Sequence, residues 1–271
     1  AELVGDAVPA NDMITGTFTV ESPLCGTYLV GASQPAGFQN LTQAIAKLNS
    51  LGVTCAVTFE LQSDYSSAGE TFPLTITQYP GISAVNTFTL KPGASVSPVI
   101  SGSSATSIFI LDGVDYMTID GSNSGGATRD MIIRNTNTSG QTIRFINDAT
   151  YNTVTNAIVE GATSSTTSGM ILFSTAATGT SGNSNNTINK CDLRDRSDAA
   201  GVPANAVYSS GTTAAPNANN TISNNNIFNH TNAGVLVTGT GVGNNWTVSG
   251  NSIYQTAART AALTGISIQG A

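Results

Sequence analysis

The chain has 271 residues, a formal net charge of −7 and 9% charged residues, against 39% hydrophobic ones. Its few lysines form no basic patch, which argues against nucleic-acid binding, and no apolar run of about 18 residues is present to span a membrane. Asn, Thr, Ser and Gly must cover much of the surface, and these residues favour turns over long helices. The composition therefore predicts many short strands joined by polar turns.

The first part of the chain predicts an extended segment followed by a cap. Residues 1–24 contain two prolines and predict an extended N-terminal segment or linker. Residues 25–62 predict a compact N-terminal cap with one amphipathic helix, which begins after the N-cap Asn40 and closes at Gly52. A solenoid has an open apolar end, so a helix ahead of a long run of strands is interpreted as its lid.

A repeat dominates residues 63–271, which we interpret as the coils of a solenoid. A seven-residue pattern occurs four times, beginning at Thr153, Thr187, Thr221 and Thr247. It consists of Thr, then Ile or Val, two variable residues, a small residue or Asn, one variable residue and an aliphatic residue. Their threonines are spaced by 34, 34 and 26 residues, and a degenerate copy begins at Thr118. The predicted fold is all-β, a right-handed parallel β-helix with an N-terminal amphipathic capping helix. A β-sandwich is the alternative, and it would not need a motif at repeat spacing.

Four residues are predicted to have structural roles. Asn225 and Asn251 occupy the same repeat position, where an inward Asn could bond to the backbone of the next coil, and Ala157 and Cys191 fill that position in other coils. A buried Asn must be hydrogen-bonded there, or it costs about 1–3 kcal/mol. Cys25 and Cys55 are either joined by a disulfide, as expected in an oxidising compartment, or remain buried thiols.

A second series of strands alternates with the repeat. Its inward residues are predicted to include Phe145, Phe173 and Tyr208, and its outward residues are Leu172, Val207 and Leu236. The outward residues would form a partly apolar strip. Either the inserted loops cover this strip, or it is a groove for a glycan or a protein partner.

Several blocks of the sequence carry a resemblance to a known group of proteins. The most distinctive blocks are Gly26–Gly31, Phe38–Asn49, Val57–Leu61 and Thr118–Gly121, with Asn185–Ile188 and Asn219–Ile222 further along. Together they resemble the right-handed β-helix regions of very large secreted proteins of the Bacteroidetes, which often end in a type IX secretion sorting domain. The resemblance implies export and a cell-surface location. It implies no known activity, because most members of the group are uncharacterised, and many look like adhesins or structural stalks.

Catalysis must be weighed, because some β-helices are polysaccharide lyases or hydrolases. The strongest charged cluster contains Asp192, Arg194, Asp195 and Arg196, which are the candidate catalytic residues, and Asp195 and Asp198 are candidate calcium ligands. The competing interpretation is a solvated turn with local ion pairs of at most about 1 kcal/mol each.

Other patterns point away from catalysis. His230 has no obvious acidic partner and is interpreted as a loop residue. Asp112, Asp115 and Asp120 fall where turns commonly place Asp. The pairs Thr75/Thr77 and Thr87/Thr89 are expected to be isolated, so no ice-binding face is predicted, and no cofactor is expected.

The predicted function is that of a non-enzymatic, secreted or cell-surface β-helix module, structural or adhesive, within a larger protein. The alternative is a carbohydrate-active β-helix, either a polysaccharide lyase or a glycan-binding module. Expected partners are glycans or other surface proteins. End-to-end stacking and neighbouring domains are also expected, because Ile266–Ile268 reads as the start of a further coil.

Overall fold

The computed structural model describes residues 21–175, 180–239 and 245–269. Their strands form three all-parallel sheets, A, B and C, and from residue 88 onward each coil of the chain passes through A, then C, then B. The result is a parallel β-helix of about eight turns with one α-helix in the described part, which confirms the predicted fold class. The extended segment predicted for residues 1–24 lies outside the described residues, apart from 21–24.

The strands are numbered in chain order. Sheet A contains β1 (Leu24–Val30), β2 (Val53–Leu61), β4 (Phe88–Pro92), β7 (Met117–Asp120), β10 (Thr153–Thr155), β13 (Thr187–Asn189), β16 (Thr221–Ser223) and β19 (Thr247–Ser249). Sheet C contains β5 (Val99–Gly102), β8 (Met131–Asn135), β11 (Ala157–Glu160), β14 (Asp192–Arg194), β17 (Asn226–Phe228) and β20 (Ser252–Tyr254). Sheet B contains β3 (Leu74–Thr77), β6 (Ser107–Asp112), β9 (Gln141–Ile146), β12 (Ile171–Phe173), β15 (Asn205–Ser210), β18 (Ala233–Thr238) and β21 (Thr264–Ile268).

The core is a set of aliphatic and aromatic stacks that run along the solenoid axis. Because side chains alternate between the faces of a strand, every second residue points inward and meets its equivalent in the next coil. In sheet A the register aligns Leu90, Ile119, Val154, Ile188 and Ile222, all fully buried. Each such side chain contributes about 1.5–3 kcal/mol by leaving water.

Sheet B corrects one prediction about which residues face inward. Val207 pairs with the buried Ile171, whereas Tyr208 pairs with the outward Leu172. Val207 therefore points into the core and Tyr208 points out, because a shift of one residue exchanges the faces of a strand. Leu172 and Tyr208 are only 9% and 7% exposed. The predicted apolar strip is therefore largely covered at these two coils and offers no open groove there.

The helix α1 (Leu41–Leu51) covers the N-terminal end of the solenoid. A short 3-10 helix, Ser67–Gly69, lies later in the chain. Asn40 accepts a hydrogen bond from the backbone N–H of Gln43, as an N-cap does. The carboxylate of Glu70, far along the chain, accepts bonds of 2.7 Å from the N–H groups of Leu41 and Thr42. A negative charge at this end also matches the positive end of the helix dipole.

The same helix protects the edge of sheet B. The side-chain amide of Asn49 donates to the carbonyl of Thr75 at 2.9 Å and accepts from the N–H of Thr77 at 3.2 Å. Asn49 thereby replaces the neighbouring strand that β3 lacks on this side. An exposed strand edge invites pairing with other chains, so this contact blocks the N-terminal edge of sheet B.

A disulfide ties the cap to the first coil. Cys25 in β1 and Cys55 in β2 are bonded across a sequence separation of 30, and the enclosed loop contains α1. Cys191 remains a free, buried thiol.

Removing this disulfide is expected to lower the free energy of unfolding. For a loop of this length the entropy gained by the unfolded chain corresponds to about 3.7 kcal/mol. We expect the double variant Cys25→Ala/Cys55→Ala to unfold at a lower urea concentration than the oxidised protein. The reduced wild-type protein is the control and should match the variant. An unchanged unfolding midpoint in both would show that the bond constrains nothing in the unfolded chain.

Candidate functional site

Two ladders of asparagine side chains flank sheet A. The upstream ladder, at the corner before sheet A, consists of Asn152, Asn186 and Asn220. The Asn186 side-chain oxygen accepts a bond of 2.9 Å from the N–H of Asn152, and Asn220 accepts an equivalent 2.9 Å bond from Asn186. Their amide groups donate to carbonyls in the preceding coil, at 2.8–2.9 Å. All three residues are buried, so each side chain is used to join two coils.

The downstream ladder, at the corner after sheet A, consists of Cys191, Asn225 and Asn251. Asn225 accepts from the N–H of Cys191 at 2.9 Å and donates to the carbonyl of Ile188 at 3.0 Å. Asn251 accepts from both the N–H and the amide group of Asn225 at 2.9 Å. The bonds run to the preceding coil in each case. Burial raises the pKa of the Cys191 thiol to about 12, which leaves it an unreactive member of the stack.

The residues with the richest charge chemistry lie on the outer face of sheet C. We call Arg134, Glu160, Arg194, Arg196 and Asp198 the charged cluster. The register places Arg134, Glu160 and Arg194 at equivalent positions in three successive coils. Glu160 is fully buried and pairs with both arginines, at 2.5 Å to Arg134 and 2.7 Å to Arg194.

The loop after β14 completes the charged cluster. Arg196 donates two bonds of 3.0 Å to the carboxylate of Asp198, and Arg134 lies 3.4 Å from the same carboxylate. Arg134 also donates to the Ser197 hydroxyl at 3.0 Å. The loop is thereby held over the outer face of sheet C.

The electrostatics of the charged cluster favour ionised carboxylates. Burial alone raises the pKa of Glu160, but hydrogen bonds from Arg134 and Ser197 and the positive charge of Arg134 outweigh it, so its pKa lies below the ordinary value. The hydrogen bond from Arg196 is the main reason why the pKa of Asp198 is also lowered. Neither carboxyl group is suited to act as a general acid near neutral pH.

The other predicted catalytic and calcium-binding residues have separate partners. Asp192 accepts from the amide of Asn226 at 2.7 Å and lies 3.3 Å from Arg129. Asp195 accepts from the amide of Asn229, one coil away, at 2.9 Å. Asp195 therefore bonds across coils, whereas Asp198 bonds to arginines. In residues 21–175, 180–239 and 245–269, no three His, Cys, Asp or Glu side chains come together as a metal site.

His230 and the earlier aspartates take part in local structure. His230 is 2% exposed, its Nδ1 lies 3.5 Å from the amide of Gln255, and burial lowers its pKa. Asp115 accepts from the N–H of Thr150 at 2.9 Å, and Asp120 accepts from the N–H of Ser122 at 3.0 Å. Asp112 accepts from the amide of Asn147. These contacts join turns and coils.

Acid is expected to destabilise the protein through the charged cluster. A carboxyl group whose pKa is lower in the folded state stabilises the fold above its unfolded pKa, and this contribution is lost as the pH falls through the folded pKa. For Glu160 the loss therefore begins below the ordinary value of 4.5. We expect the urea midpoint of the wild-type protein to fall in that range, and the midpoint of Glu160→Gln to change less with pH. Equal acid sensitivity of the two proteins would contradict this assignment.

Sequence reasoning missed three groups in this region. Glu160 was not recognised, although it is the only carboxylate in its strand and has an arginine at the equivalent position of the neighbouring coils. The upstream ladder was missed too, yet its members precede the repeat threonines by one residue in three successive copies. That constant offset was the available signal. A third, shorter ladder consists of Asn183 and Asn217, joined by a 2.8 Å bond, and it was not predicted either.

No helix in the described ranges has the length and apolar character needed to cross a membrane. A scan against protein-family models finds no match, and no curated protein sequence is similar to this chain.

Proposed function

We propose that this chain is a non-enzymatic structural or adhesive β-helix module of a larger exported protein that acts at the cell surface. The observation that carries the proposal is the pairing of the charged cluster and its neighbours. Each carboxylate and arginine from Asp192 to Asp198 is engaged by another group of the protein. A hydrolase or lyase would need acids or bases aimed at a substrate instead.

Two further features support export and a mechanical role. The Cys25–Cys55 disulfide suits an oxidising compartment, as does the resemblance to secreted Bacteroidetes proteins that use type IX secretion. The asparagine ladders use buried polar side chains to join coils, which stiffens the solenoid.

At the outer edge of sheet B, Ile266 and Ile268 are 47% and 37% exposed, which supports stacking of a neighbouring domain or another copy there.

Activity assays test the non-enzymatic part of the proposal. The purified protein is incubated with a panel of acidic and neutral polysaccharides, with and without a chelator, and new reducing ends and unsaturated products are measured. We expect neither product. Turnover that the double variant Asp192→Asn/Arg194→Gln abolishes, but that Glu21→Gln leaves intact, would overturn the proposal.

Localisation is tested separately. In the organism that makes the protein, we expect protease added to intact cells to degrade it, while a cytoplasmic marker survives. We also expect one alkylatable thiol, from Cys191, after denaturation without reductant. Protection from protease together with three alkylatable thiols would place the protein in a reducing interior and contradict export.

Glycan binding is the second candidate function, and one observation favours it. Arg194, Phe228 and Tyr254 follow one another on the outer face of sheet C, and the two rings are stacked with centroids 4.9 Å apart. Tyr254 is 43% exposed. Exposed aromatic rings beside a cation suit sugars that carry carboxylates. Binding to acidic glycans on an array, lost in Tyr254→Ala but retained in Tyr151→Ala, would support this function.

A further inference from the structure

Sheet A presents an unbroken column of threonines on its outer face. The strand registers align one threonine from every strand of the sheet with no shift between them. In chain order they are Thr27, Thr58, Thr89, Thr118, Thr153, Thr187, Thr221 and Thr247. Each is followed by an inward residue, so the threonines themselves face outward. Thr89, which was expected to be isolated, belongs to this column, so that expectation is wrong.

A second outward column lies two residues further along each strand, and its chemistry changes along the solenoid. In the first coils it carries the charged residues Glu60, Lys91 and Asp120. In the last four coils it is neutral and consists of Thr155, Asn189, Ser223 and Ser249. We call the two columns over β10, β13, β16 and β19 the hydroxyl face. Lys190, the nearest charged residue in sequence, lies at the corner beyond it.

The polar groups of the hydroxyl face are not used within the protein. None of its seven hydroxyl groups has a hydrogen bond to another described residue, in contrast to the asparagines at both adjacent corners. The side-chain oxygen of Asn189, at the centre of the face, is shielded from solvent and has no partner among the described residues. The seven hydroxyl groups therefore remain available for hydrogen bonds to groups outside the chain.

The hydroxyl face is held in a regular array. Adjacent strands lie about 4.7–4.9 Å apart, and outward residues along one strand are separated by roughly 6.6 Å, which is twice the rise per residue. The upstream ladder and the downstream ladder fix the two corners that border the face. Residues in the left-handed region recur at these corners, among them Asn185, Asn219 and Asn224. The face is therefore a two-dimensional lattice of methyl and hydroxyl groups on a stiff support.

The charge and composition of the face select the ligand. The chain carries a net charge of −7, yet the hydroxyl face is neutral, so it complements a neutral surface better than a charged polymer. It has no aromatic ring on which a sugar ring could stack. What remains is a rigid, neutral, repeating surface that offers hydrogen bonds at regular intervals. We propose that the hydroxyl face binds crystalline water, that is, the surface of an ice crystal.

The physical basis is the fit between two lattices. Threonine methyl groups restrict the water beside them, while the free hydroxyls hydrogen-bond to it, so water over the face is ordered at the spacing of the coils. This spacing is near the repeat distances between oxygen atoms on ice surfaces. The side chains are short and β-branched, so little rotamer entropy is lost on contact. Because every coil adds two more contacts at the same spacing, the contact grows with the number of coils.

The test measures adsorption of the purified, disulfide-bonded protein to polycrystalline ice. Fluorescently labelled protein is equilibrated with a growing ice surface, and the fraction that enters the ice is compared with the fraction left in the liquid. The gap between the melting and growth temperatures of a single crystal is recorded in parallel. We expect the wild-type protein to be enriched in the ice and to widen this gap. Exclusion of the wild-type protein from ice, with no gap, would overturn the inference.

Matched variants locate the binding face. Thr187→Tyr/Thr221→Tyr places two bulky, strand-compatible residues at the centre of the hydroxyl face. Thr58→Tyr/Thr89→Tyr makes the same change in the same column, but beside Glu60 and Lys91. We expect the first variant to lose about tenfold in adsorption and the second less than about twofold, with both melting as the wild type does. An equal loss in both, or binding of crystalline cellulose or chitin in place of ice, would contradict the inference. Ice binding is independent of the proposed surface role, because failure to bind ice would leave the expected results of the export and turnover experiments unchanged.

Discussion

Replacing Asn186 by leucine is expected to lower the free energy of unfolding by about 3 kcal/mol or more. Asn186 is fully buried at the centre of the upstream ladder. Its removal leaves the N–H of Asn152 and the carbonyl of Ala149 without their partners, and each unpaired buried group costs about 1–3 kcal/mol. Leucine has a similar size, so the loss reports the hydrogen bonds more than a cavity. Equilibrium unfolding in urea measures it.

The control for this experiment is Asn224→Gly. Asn224 is exposed and has a φ of 56°, a left-handed conformation that glycine adopts without strain. We expect its unfolding free energy to stay within about 0.5 kcal/mol of the wild type. If Asn186→Leu were as stable as Asn224→Gly, the ladder would contribute nothing to stability, and the hydrogen bonds would only follow the shape of the coil.

Replacing Glu160 by leucine is expected to cost about 3 kcal/mol of unfolding free energy. The change leaves the nearly buried Arg134 and the partly buried Arg194 without the carboxylate that both contact. An unpaired buried charge is strongly destabilising, whereas a buried pair replaced by apolar residues is often neutral. We therefore expect the double variant Arg134→Met/Glu160→Leu to recover much of the loss. Urea unfolding at neutral pH measures both variants.

An exposed ion pair provides the control for Glu160. Lys47 and Glu21 lie 2.5 Å apart, but the Glu21 side chain is 50% exposed. Such pairs contribute at most about 1 kcal/mol, so Glu21→Gln should change the unfolding free energy little. The interpretation fails if the double variant Arg134→Met/Glu160→Leu is no more stable than Glu160→Leu, because the loss would then come from packing alone.

The repeat allowed the fold to be predicted from the sequence, because each coil places an aliphatic residue at the same inward position. Thr153, Thr187, Thr221 and Thr247 lie at equivalent positions of adjacent strands, as their spacing predicts. The same logic failed at Tyr208. A single strand of alternating residues does not reveal which alternate set is buried, since Val207 and Tyr208 are both compatible with a core. Only pairing with Ile171 and Leu172 decides between them.

The hydrogen bonds and ion pairs of the candidate site were harder to predict from the sequence, for a different reason. An asparagine such as Asn186 suits an exposed turn as well as a buried ladder, and composition does not separate the two. The partners of Glu160 come from coils 26 and 34 residues away, so their convergence depends on the register and not on local sequence. Half of the threonine column could be predicted from the repeat. Its continuation into Thr27, Thr58 and Thr89 could not, because these threonines are followed by Tyr, Phe and Leu and so do not match the pattern of Thr followed by Ile or Val.

The connection of each coil only to its two neighbours has a consequence under mechanical load. A force applied along the chain would peel the solenoid from one end, one coil at a time, rather than break it at once. A coil of 34 residues releases about 12 nm of extended chain, so a pulling experiment would show a series of similar force peaks. The Cys25–Cys55 bond keeps the enclosed cap residues out of that extension. A tether built this way would lengthen in steps and dissipate work, while its capped end stays anchored.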